Sequence, residues 1–385
     1  MAANTDIDAL VECLYQAANQ SDEARCKARD ALQNLQLRLE TPHDAYNRFA
    51  YMHLEITFAR IAEDLQIYQI LVESGQPVSV AGLSAKTGAA LLFTRRVLRY
   101  LASVGQIQET GKDEFAANEL TKILAEPGYR GTIYHTFENV GPALQVLPSF
   151  FAETKYQDIN DAAKTAAQRA FQTDLPMFSW LPTQPERFEP LQQTMSAQPK
   201  AAVPWFSAFP FEKELGEFAG PHALVDVGGG FGHQCIALLS AFPQLRERLV
   251  VQDLPQTLEH MSPLDGVQAT SHDFFKEQPI KGARFYYLRN ILHDWPDEKA
   301  IAILSHLKDA LAPGSQILID EIIMPNVNAH WHSTSLDMIM MSCLGSRERT
   351  VDDWHSLLDA AGLQAVRIST YMPRRADSII QVIPK

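Results

Sequence analysis

The sequence predicts an α/β protein in which a mostly parallel sheet, covered by helices on both faces, fills the second half of the chain. A helical region precedes that sheet. Four glycines within five positions follow a short apolar run at 224–227. From about residue 220 onward, segments with strand-like and helix-like apolar spacing alternate, which is typical of a parallel sheet. The first 66 residues carry only helical apolar stripes.

Composition narrows the classes of function. The chain of 385 residues has a formal net charge of -13, which disfavours nucleic acids and anionic membranes as partners and favours small molecules or proteins. No apolar run reaches the roughly 18 residues of a membrane span and no signal peptide is evident, so we expect a cytoplasmic protein. The four cysteines are scattered, which predicts neither a disulfide framework nor a metal site.

The helical region is predicted as three helices followed by a winged-helix pattern. Two helices are expected within residues 6–40 and a third from about 45 to 66. Their apolar stripes suit burial against a dimer partner or against the rest of the chain. Residues 78–118 then read as short helices followed by a hairpin at 106–116.

A winged helix commonly binds DNA, and three arginines of its second helix suit phosphate contacts: Arg95, Arg96 and Arg99. The hairpin, however, carries Glu109, Asp113 and Glu114, and the chain around it is acidic. We therefore expect a structural or dimerisation role for this segment rather than DNA binding.

Residues 126–215 are predicted to be helical and are rich in aromatic side chains. Such side chains usually form a core, but they also suit the wall of a pocket for a flat organic substrate. Phe178 and Met195 are our candidates for that wall. His135 is more often a core histidine with its polar atoms satisfied than a catalytic one.

The glycine-rich turn after the first strand is the strongest sign of a ligand site. Gly228 and Gly230 let a ligand lie against bare backbone at the N-terminus of a helix. Asp226 precedes the turn, and Asp253 ends a second strand about 20 residues on, where a carboxylate suits two ribose hydroxyls. The third glycine of the dinucleotide fingerprint is replaced by His233. The pattern therefore favours a nucleoside with an amino-acid tail, such as S-adenosylmethionine.

Further polar residues follow the later strands. Asp273 and Phe274 come after the third strand, where they either bracket an adenine or form a simple helix cap with a core aromatic. Asp294, after the fourth strand, is expected to cap the next helix. His293 has no such structural explanation, and a titratable imidazole at this edge suits a general base.

Two more acids complete this set of candidates. The fifth strand is expected to end at Asp320-Glu321, which places Glu321 at the same edge of the sheet. Glu348 lies in a polar turn, where it is either a surface charge, an ion-pair partner of Arg347 or Arg349, or part of the site.

Four motifs occur together and in one order: Val225 to His233 (VDVGGGFGH), Asp253-Leu254-Pro255, His293 to Glu298 (HDWPDE), and Glu348-Arg349-Thr350. In this combination the sequence resembles the S-adenosylmethionine-dependent O-methyltransferases of the caffeic acid type, in their secondary-metabolism branch. The resemblance implies a helical and winged-helix dimerisation domain at 1–125, a helical substrate-pocket region at 126–215, and a Rossmann-like methyltransferase domain at 216–385. It also implies a homodimer.

Residue roles follow from the resemblance. His293 would be the general base, with Glu321 and Glu348 flanking its imidazole. The cofactor would contact Asp226, Gly228, Gly230, Asp253, Leu254, Asp273, Phe274 and Arg289. The substrate would contact Asp294, Asn290, Met195, Phe178, His135 and Met338. Arg289 stands where the family usually has a lysine, and Asn290 replaces a tryptophan of the substrate wall, which argues against a phenylpropanoid substrate.

The resemblance thus implies methylation of a phenolic or enolic hydroxyl on an aromatic or polyketide-like secondary metabolite, with S-adenosylhomocysteine as the second product. One alternative is a pericyclase or dehydratase of the same fold that does not transfer the methyl group, in which His135 and Arg289 would act. Retention of His293 with both glutamates favours methyl transfer. A third reading, a winged-helix regulator with a vestigial cofactor site, requires binding to duplex DNA, which we do not expect.

Overall fold

The computed structural model describes residues 6–197, 203–259 and 261–385. It divides into two compact units, Met1–Lys122 and Ile123–Lys385. The predicted division into three segments, at 125 and 215, remains a prediction. Among the described residues, no helix is both long enough and apolar enough to cross a lipid bilayer.

The first unit is helical, with one small sheet. Its helices are α1 (Ile7–Ala18), α2 (Asp22–Leu39), α3 (Pro42–Ala50), α4 (Met52–Asp64), α5 (Ile67–Ser74), α6 (Val80–Thr87) and α7 (Leu91–Ser103). Its strands are β1 (Val78–Ser79), β2 (Gln108–Gly111) and β3 (Glu114–Ala116), and α8 (Glu119–Leu124) spans the boundary between the units. The predicted hairpin is confirmed, because β2 and β3 pair antiparallel.

The predicted third helix is wrong in one respect. The structure divides it at Tyr51 into α3 and α4. The first of these begins earlier than expected, at Pro42, because Thr41 and Asp44 form a capping box around its N-terminus. No glycine or proline marks the division at Tyr51, so helix-breaking residues could not predict it.

One of the three arginines of α7 is bound to the hairpin of its own unit. Arg95 donates two hydrogen bonds to the hairpin's Asp113, from Nε to Oδ1 (2.8 Å) and from Nη2 to Oδ2 (3.0 Å). A guanidinium engaged in this bidentate way is compensated within the unit. This contact supports a structural role for the winged segment.

The second unit contains the main sheet. Its α-helices are α9 (Pro127–Tyr134), α10 (Gly141–Glu153), α11 (Ala166–Phe171), α12 (Met177–Trp180), α13 (Pro185–Ala197), α14 (Phe211–Leu215), α15 (His233–Ala241), α16 (Pro255–Leu258), α17 (Asp297–Lys308), α18 (Trp331–Leu344) and α19 (Val351–Ala360). Its strands are β4 (Leu224–Val227), β5 (Leu249–Asp253), β6 (Val267–Ser271), β7 (Phe285–Arg289), β8 (Gln316–Met324), β9 (Arg349–Thr350), β10 (Leu363–Met372) and β11 (Asp377–Pro384). A π-helical turn spans His135–Val140.

The predicted α/β class is confirmed. The strand order is β10-β11-β8-β7-β4-β5-β6, with β9 beside β8. Strands from β8 to β6 are parallel, and β11 and β10 add an antiparallel edge. Alternate residues of β4 enter different cores, since Leu224 packs in one apolar cluster and Val225 in the other. Both faces of the sheet are therefore covered, as the continuous apolar strands predicted.

The fifth strand of this sheet is longer than predicted. It was expected to end at Asp320-Glu321, but β8 continues to Met324. The extension is held on both sides, because Ile322 pairs with Asp377 of β11 and Ile323 pairs with Arg349 of β9. Glu321 is consequently fixed inside a strand rather than in the loop that follows it.

Candidate active site

The glycine turn between β4 and α15 is shaped by backbone conformation. Gly228, Gly230 and Gly232 have φ angles of 71°, 57° and 73°, which L side chains rarely adopt. A Cβ on Gly228 would lie 2.6 Å from Cδ1 of Ile291. A Cβ on Gly230 would meet none of the described atoms within 4 Å. The turn is therefore packed on one side and open at Gly230, as a ligand-binding turn requires.

Asp253 ties the end of β5 to this turn. Its Oδ2 accepts a hydrogen bond from the N–H of Gly230 (2.8 Å), and its Oδ1 accepts one from the N–H of Leu254 (2.8 Å). The Leu254 side chain beside it is exposed. Because a carboxylate oxygen can accept more than one hydrogen bond, Asp253 can hold the turn and still accept bonds from a ligand.

Asp226 lies beneath the turn. Its side chain is buried, and the Cys235 thiol contacts its Oδ2 at 3.8 Å. Burial, together with the negative charge of Asp253, raises the pKa of Asp226 to about 7. A Cβ on Gly229 would lie only 2.6 Å from Cγ of Asp226. Asp226 thus supports the backbone from the side opposite the opening at Gly230.

Asp273 and Phe274 lie beyond the end of β6. Oδ1 of Asp273 accepts a hydrogen bond from the N–H of Phe275 (3.0 Å), so this carboxylate does stabilise a local turn. The position of a Cβ on Gly228 lies 3.5 Å from the Phe274 ring. The ring also packs edge-on against Trp295, with centroids 6.1 Å apart. Phe274 therefore lies close to both the glycine turn and the segment that carries His293.

His293 lies in a short 3-10 turn, Leu292–Asp294, directly after β7. Glu321 of β8 holds this turn from the neighbouring strand. Its Oε1 accepts hydrogen bonds from the N–H groups of Ile291, Leu292 and His293, at 3.0, 2.9 and 3.3 Å. One carboxylate thus satisfies three consecutive backbone donors that would otherwise be left unpaired at a buried chain reversal.

The His293 imidazole is buried and surrounded by three acids. Nδ1 donates to Oε1 of Glu348 (2.7 Å) and lies 3.9 Å from Oε2 of Glu321. On the other side of the ring, Nε2 lies 3.5 Å from Oδ1 of Asp294. Burial by itself lowers the pKa of His293, but the charges of Glu321, Asp294 and Glu348 outweigh it and raise this pKa to about 10.

The expected role of Asp294 as a helix cap is wrong. Helix α17 begins at Asp297 with Pro296 as its N-cap residue, and no side chain caps it. Asp294 instead belongs to the turn of His293, where burial raises its pKa to about 6. The sequence cannot separate a helix cap from a turn residue here, because an acid a few residues before a helix fits either role.

The surrounding acids keep unused hydrogen-bonding capacity. Oε2 of Glu321 and Oε2 of Glu348 are buried and have no hydrogen-bond partner in the described part of the chain. Burial raises the pKa of Glu321 to about 7. Unpaired carboxylate oxygens are costly in a protein interior, and they are expected where a proton or a ligand is to be bound.

The same three residues form a possible metal-binding group. Ligand atoms of His293, Glu321 and Glu348 lie within 4.8 Å of one another. The Nδ1 to Oε1 distance of 2.7 Å, however, is that of a hydrogen bond. A tetrahedral zinc ion bonded to both atoms at about 2.0 Å would hold them about 3.3 Å apart. The 2.7 Å distance therefore fits a hydrogen bond between the imidazole and the carboxylate, and the absence of a metal remains a prediction.

Arg289 belongs to a buried network. Its Nη1 donates to Oδ2 of Asp320 (2.9 Å) and to the Tyr371 hydroxyl (3.1 Å). The Tyr371 hydroxyl donates to Oδ1 of Asp320 (2.7 Å), and the Tyr287 hydroxyl also bonds that carboxylate. Sequence reasoning missed both tyrosines. A signal existed for Tyr287, since a phenol inside a fully apolar strand needs a polar partner.

The predicted substrate contacts lie in several places. Asn290 directly precedes the His293 turn and has a φ of 50°, unusual for a residue other than glycine. The Phe178 ring lies 6.1 Å from the Trp295 ring, which follows the same turn. Met338 is on α18, one residue after Asp337, whose Oδ1 accepts the N–H of Glu348 (2.9 Å). Asn290, Phe178 and Met338 thus lie next to, in the chain or in space, residues that contact or flank His293 and Glu348.

Two predicted contacts have no such link. The His135 ring bonds through Nδ1 to the Asn139 amide at 2.9 Å, and burial lowers the pKa of His135 to about 4. These features fit the core histidine that was weighed against a pocket role. Met195 lies near the end of α13 with its side chain exposed. Both residues remain predictions as substrate contacts.

Comparison with known proteins identifies the family. A model of the O-methyltransferase domain matches residues 212–364. The chain is 38% identical over 367 residues to the demethylsterigmatocystin 6-O-methyltransferase of Aspergillus flavus, covering 95% of each chain. The solved structure of LepI in complex with SAM has a TM-score of 0.93 and 37% identity, covering 98% of this chain and 99% of that one. A solved structure of a pericyclic reaction enzyme has a TM-score of 0.93 and 36% identity over the same shares. Similarity of this degree along nearly the whole sequence shows that the chain belongs to the O-methyltransferase family.

Proposed function

We propose that this protein methylates a phenolic or enolic hydroxyl of a small secondary metabolite, aromatic or polyketide-like, with S-adenosylmethionine as methyl donor and His293 as general base. S-adenosylhomocysteine is the second product. The observation that carries the proposal is the buried imidazole of His293, whose Nδ1 is bonded to Glu348 (2.7 Å) beside the glycine turn. The similarity to a fungal 6-O-methyltransferase supports the same reaction class.

The residues around the glycine turn fit the donor. When bound, S-adenosylmethionine supplies an electrophilic methyl group on a positively charged sulfur. Gly230 leaves open space over the backbone. Asp253 accepts the ribose hydroxyls while holding that turn, and Asp273 with Phe274 takes the adenine. Arg289, paired with Asp320, stands beneath this part of the site.

The two ring nitrogens of His293 have different neighbours, Glu348 at Nδ1 and Asp294 at Nε2. Glu348 engages Nδ1 and thereby fixes the proton there, so that Nε2 is the atom that accepts the proton of the hydroxyl. Glu348 and Glu321 then stabilise the resulting imidazolium. A phenol with a pKa of about 10 is a weak nucleophile until that proton leaves, so base catalysis and alignment of the two reactants are what the protein must provide.

The raised pKa of His293 has a functional consequence. With a pKa of about 10, the imidazole is protonated in the ligand-free protein near neutral pH and is not yet a base. A positive charge bound nearby lowers the pKa of a histidine. We propose that donor binding in this way brings His293 to its neutral form, so that the base becomes available only once the methyl group is in the pocket.

The substrate side of the pocket is proposed from contacts around the same turn. Asp294 lies 3.5 Å from Nε2 and is expected to bond the acceptor next to the reacting hydroxyl. Phe178, near Trp295, provides a flat apolar wall. Asn290 and Met338 complete it, and Met195 and His135 are retained as more distant contacts.

A second function has a specific observation in its favour. The pericyclic reaction enzyme, at 36% identity and with a TM-score of 0.93, shows that this fold carries reactions other than methyl transfer. Such a pericyclase or dehydratase would use His135 and Arg289. Arg289 here is already engaged by Asp320 and Tyr371, whereas Nε2 of His293 faces Asp294, the proposed contact for the acceptor, at 3.5 Å. Methyl transfer is therefore the better-supported function.

The deciding experiment uses trideuteromethyl-labelled S-adenosylmethionine and a metabolite extract of the source cells. Methyl transfer predicts a product in which a trideuteromethyl group replaces hydrogen, together with S-adenosylhomocysteine. Both should form about 100- to 10,000-fold more slowly with His293→Ala. A metabolite that changes without gaining label, while the cofactor stays intact, would establish the pericyclase or dehydratase reading instead.

We further propose that the protein is a cytoplasmic homodimer. Apolar side chains on the first helices remain exposed within the chain, including Ile7 at 73%, Leu39 at 71% and Phe49 at 76%. A second copy of the chain that covers them would bury this surface. All four cysteines are free thiols, which suits a reducing compartment. Light scattering on the protein and on Phe49→Glu tests the dimer, since the charge should favour the monomer.

A further inference from the structure

Arg349 connects the two chain segments that carry the proposed base and its partner acid. It follows Glu348 directly and forms β9, which pairs with Ile323 of β8. Its side chain is only 1% exposed, although it carries a guanidinium. A buried charge of this kind is costly unless every donor finds a partner. The partners of this arginine therefore indicate its role.

Two of its donors hold the turn of His293. Nη1 donates to the carbonyl of Leu292 (2.7 Å), and Nη2 donates to the carbonyl of Trp295 (2.9 Å). These carbonyls are the ones immediately before His293 and immediately after Asp294. The guanidinium thus bonds to the turn on both sides of the imidazole, while its own backbone continues from Glu348.

The remaining contacts fix the plane of the guanidinium. Nε and Nη2 donate to Oδ1 of Asp297, at 3.0 and 2.7 Å, and the guanidinium carbon lies 5.4 Å from the centre of the Trp354 ring. Asp297 belongs to the first turn of α17. A planar fork with rigidly spaced donors can satisfy two carbonyls and a carboxylate at once, whereas a lysine ammonium cannot reproduce this arrangement.

We propose that Arg349 is a positioning residue that keeps the Glu348 carboxylate within hydrogen-bond distance of Nδ1 of His293. The carboxylate of Glu321 accepts hydrogen bonds from the N–H groups of the turn. The guanidinium of Arg349 donates hydrogen bonds to the carbonyls of the same turn. Together, the two sets of hydrogen bonds fix the position of the turn relative to Glu348. The consequence for catalysis rests on the proposed function, but the geometry does not.

The experiment compares Arg349→Lys and Arg349→Met with Arg347→Met. Arg347 is a matched control because it also pairs with Asp297, from Nη2 to Oδ2 at 2.9 Å, and with Asp353 (3.3 Å). Its side chain is 48% exposed and its ion pairs run to carboxylates rather than to the carbonyls of the turn. All three variants therefore lose an arginine contact with Asp297, but only the two Arg349 variants also lose the hydrogen bonds to the carbonyls of the His293 turn.

The readout is the imidazole of His293, followed by NMR in protein labelled at histidine and assigned by the signal missing in His293→Gln. We expect Arg349→Lys and Arg349→Met to lose the downfield Nδ1–H resonance of the bond to Glu348. The pKa of His293 should fall by about 1 to 3 units, the size of a charge effect at contact distance. Arg347→Met should change neither. An unaltered resonance and titration in a folded Arg349 variant would overturn the proposal.

Stability is measured on the same samples. A purely structural arginine would lower the unfolding temperature of Arg349→Lys and leave the titration of the folded protein unchanged, which contradicts the proposal. If neither Arg349 variant folds, its role is that of general scaffolding and the proposal falls. The titration needs no acceptor and no turnover, so a failure to find methyl transfer does not affect it. With an acceptor, kcat should fall about 100-fold while cofactor affinity is retained, as for a misplaced catalytic group.

Discussion

The two halves of the carboxyl edge of the sheet are built in different ways. At β4 and β5 the site is shaped by backbone: glycines at positive φ form the turn, and Asp253 accepts two of the N–H groups that surround it. At β7 and β8 it is shaped by side chains, because Glu321 holds the turn of His293 and Glu348 holds its imidazole. Both halves meet where Gly228 packs against Ile291.

This difference predicts different consequences of substitution. The backbone half binds its ligand against bare backbone that is open at Gly230, and its two carboxylates, Asp226 and Asp253, lie at and beneath the turn rather than around an imidazole. The side-chain half concentrates buried charges that change one another's pKa. Substitutions in the first half should therefore alter ligand affinity, and substitutions in the second should alter the chemical step and its dependence on pH.

The largest effect is expected from Glu321→Ala. It leaves three N–H groups of the turn without an acceptor, which should lower the free energy of unfolding by about 1 to 3 kcal/mol for each group that water cannot reach. It should also lower kcat about 100-fold or more, because the turn that positions His293 is no longer hydrogen-bonded to β8. Glu321→Gln keeps an acceptor oxygen, so denaturant unfolding should show most of the stability restored. Equal loss of stability in both variants would contradict the assigned role.

A smaller effect is expected on the pH profile of Glu348→Gln. Methyl transfer requires neutral His293, so kcat/KM for the donor, which reports the ligand-free protein, should rise with pH towards the pKa of about 10. Removing a negative charge beside an imidazole lowers its pKa, so the rising limb should move to lower pH, by about 1 to 3 units. A limb that does not move belongs to ionisation of the acceptor and not to His293.

The smallest effect is expected at the glycine turn. Gly230→Ala places a methyl group in the open space over the turn and should weaken cofactor binding about tenfold, which isothermal titration calorimetry can measure. The matched control is Gly88→Ala, because Gly88 also has a positive φ, of 73°, and its Cβ would meet no described atom within 4 Å. Both should lose similar stability, and only Gly230→Ala should lose affinity. Unchanged affinity would place the ligand elsewhere.

The half of the site at β4 and β5 could be predicted from the sequence more fully than the half at β7 and β8. The glycine turn, the hairpin and the individual strands and helices are local, since the pattern that predicts each lies within one short stretch of the chain, and each was predicted. The chemistry at β7 and β8 depends on contacts across 28 residues, from His293 to Glu321, and 55 residues, from His293 to Glu348. No periodicity encodes such contacts. The predicted edge of the sheet grouped these three residues as candidates in advance, and the resemblance to a family supplied the role of each.

The errors have the same physical origin. The length of β8 was underestimated because its last residues are held by β9 and β11, which come later in the chain. Asp294 was assigned to a helix cap because its contact with His293 depends on how the turn is folded. Arg349 was considered only as a partner for Glu348 in a surface turn, and its burial follows from the position of Asp297 and the turn carbonyls.

The central claim is that His293 acts in the chemical step and not in holding the cofactor. The most direct test measures kcat for methyl transfer and cofactor affinity in parallel for the wild type, His293→Ala and the exposed control His355→Ala. We predict that His293→Ala loses about 100- to 10,000-fold in kcat, the usual contribution of a positioned base, while its cofactor affinity is unchanged. In His355→Ala, both kcat and cofactor affinity should be unchanged. A loss of cofactor affinity in His293→Ala as large as the loss of kcat would contradict the central claim and make His293 a structural residue.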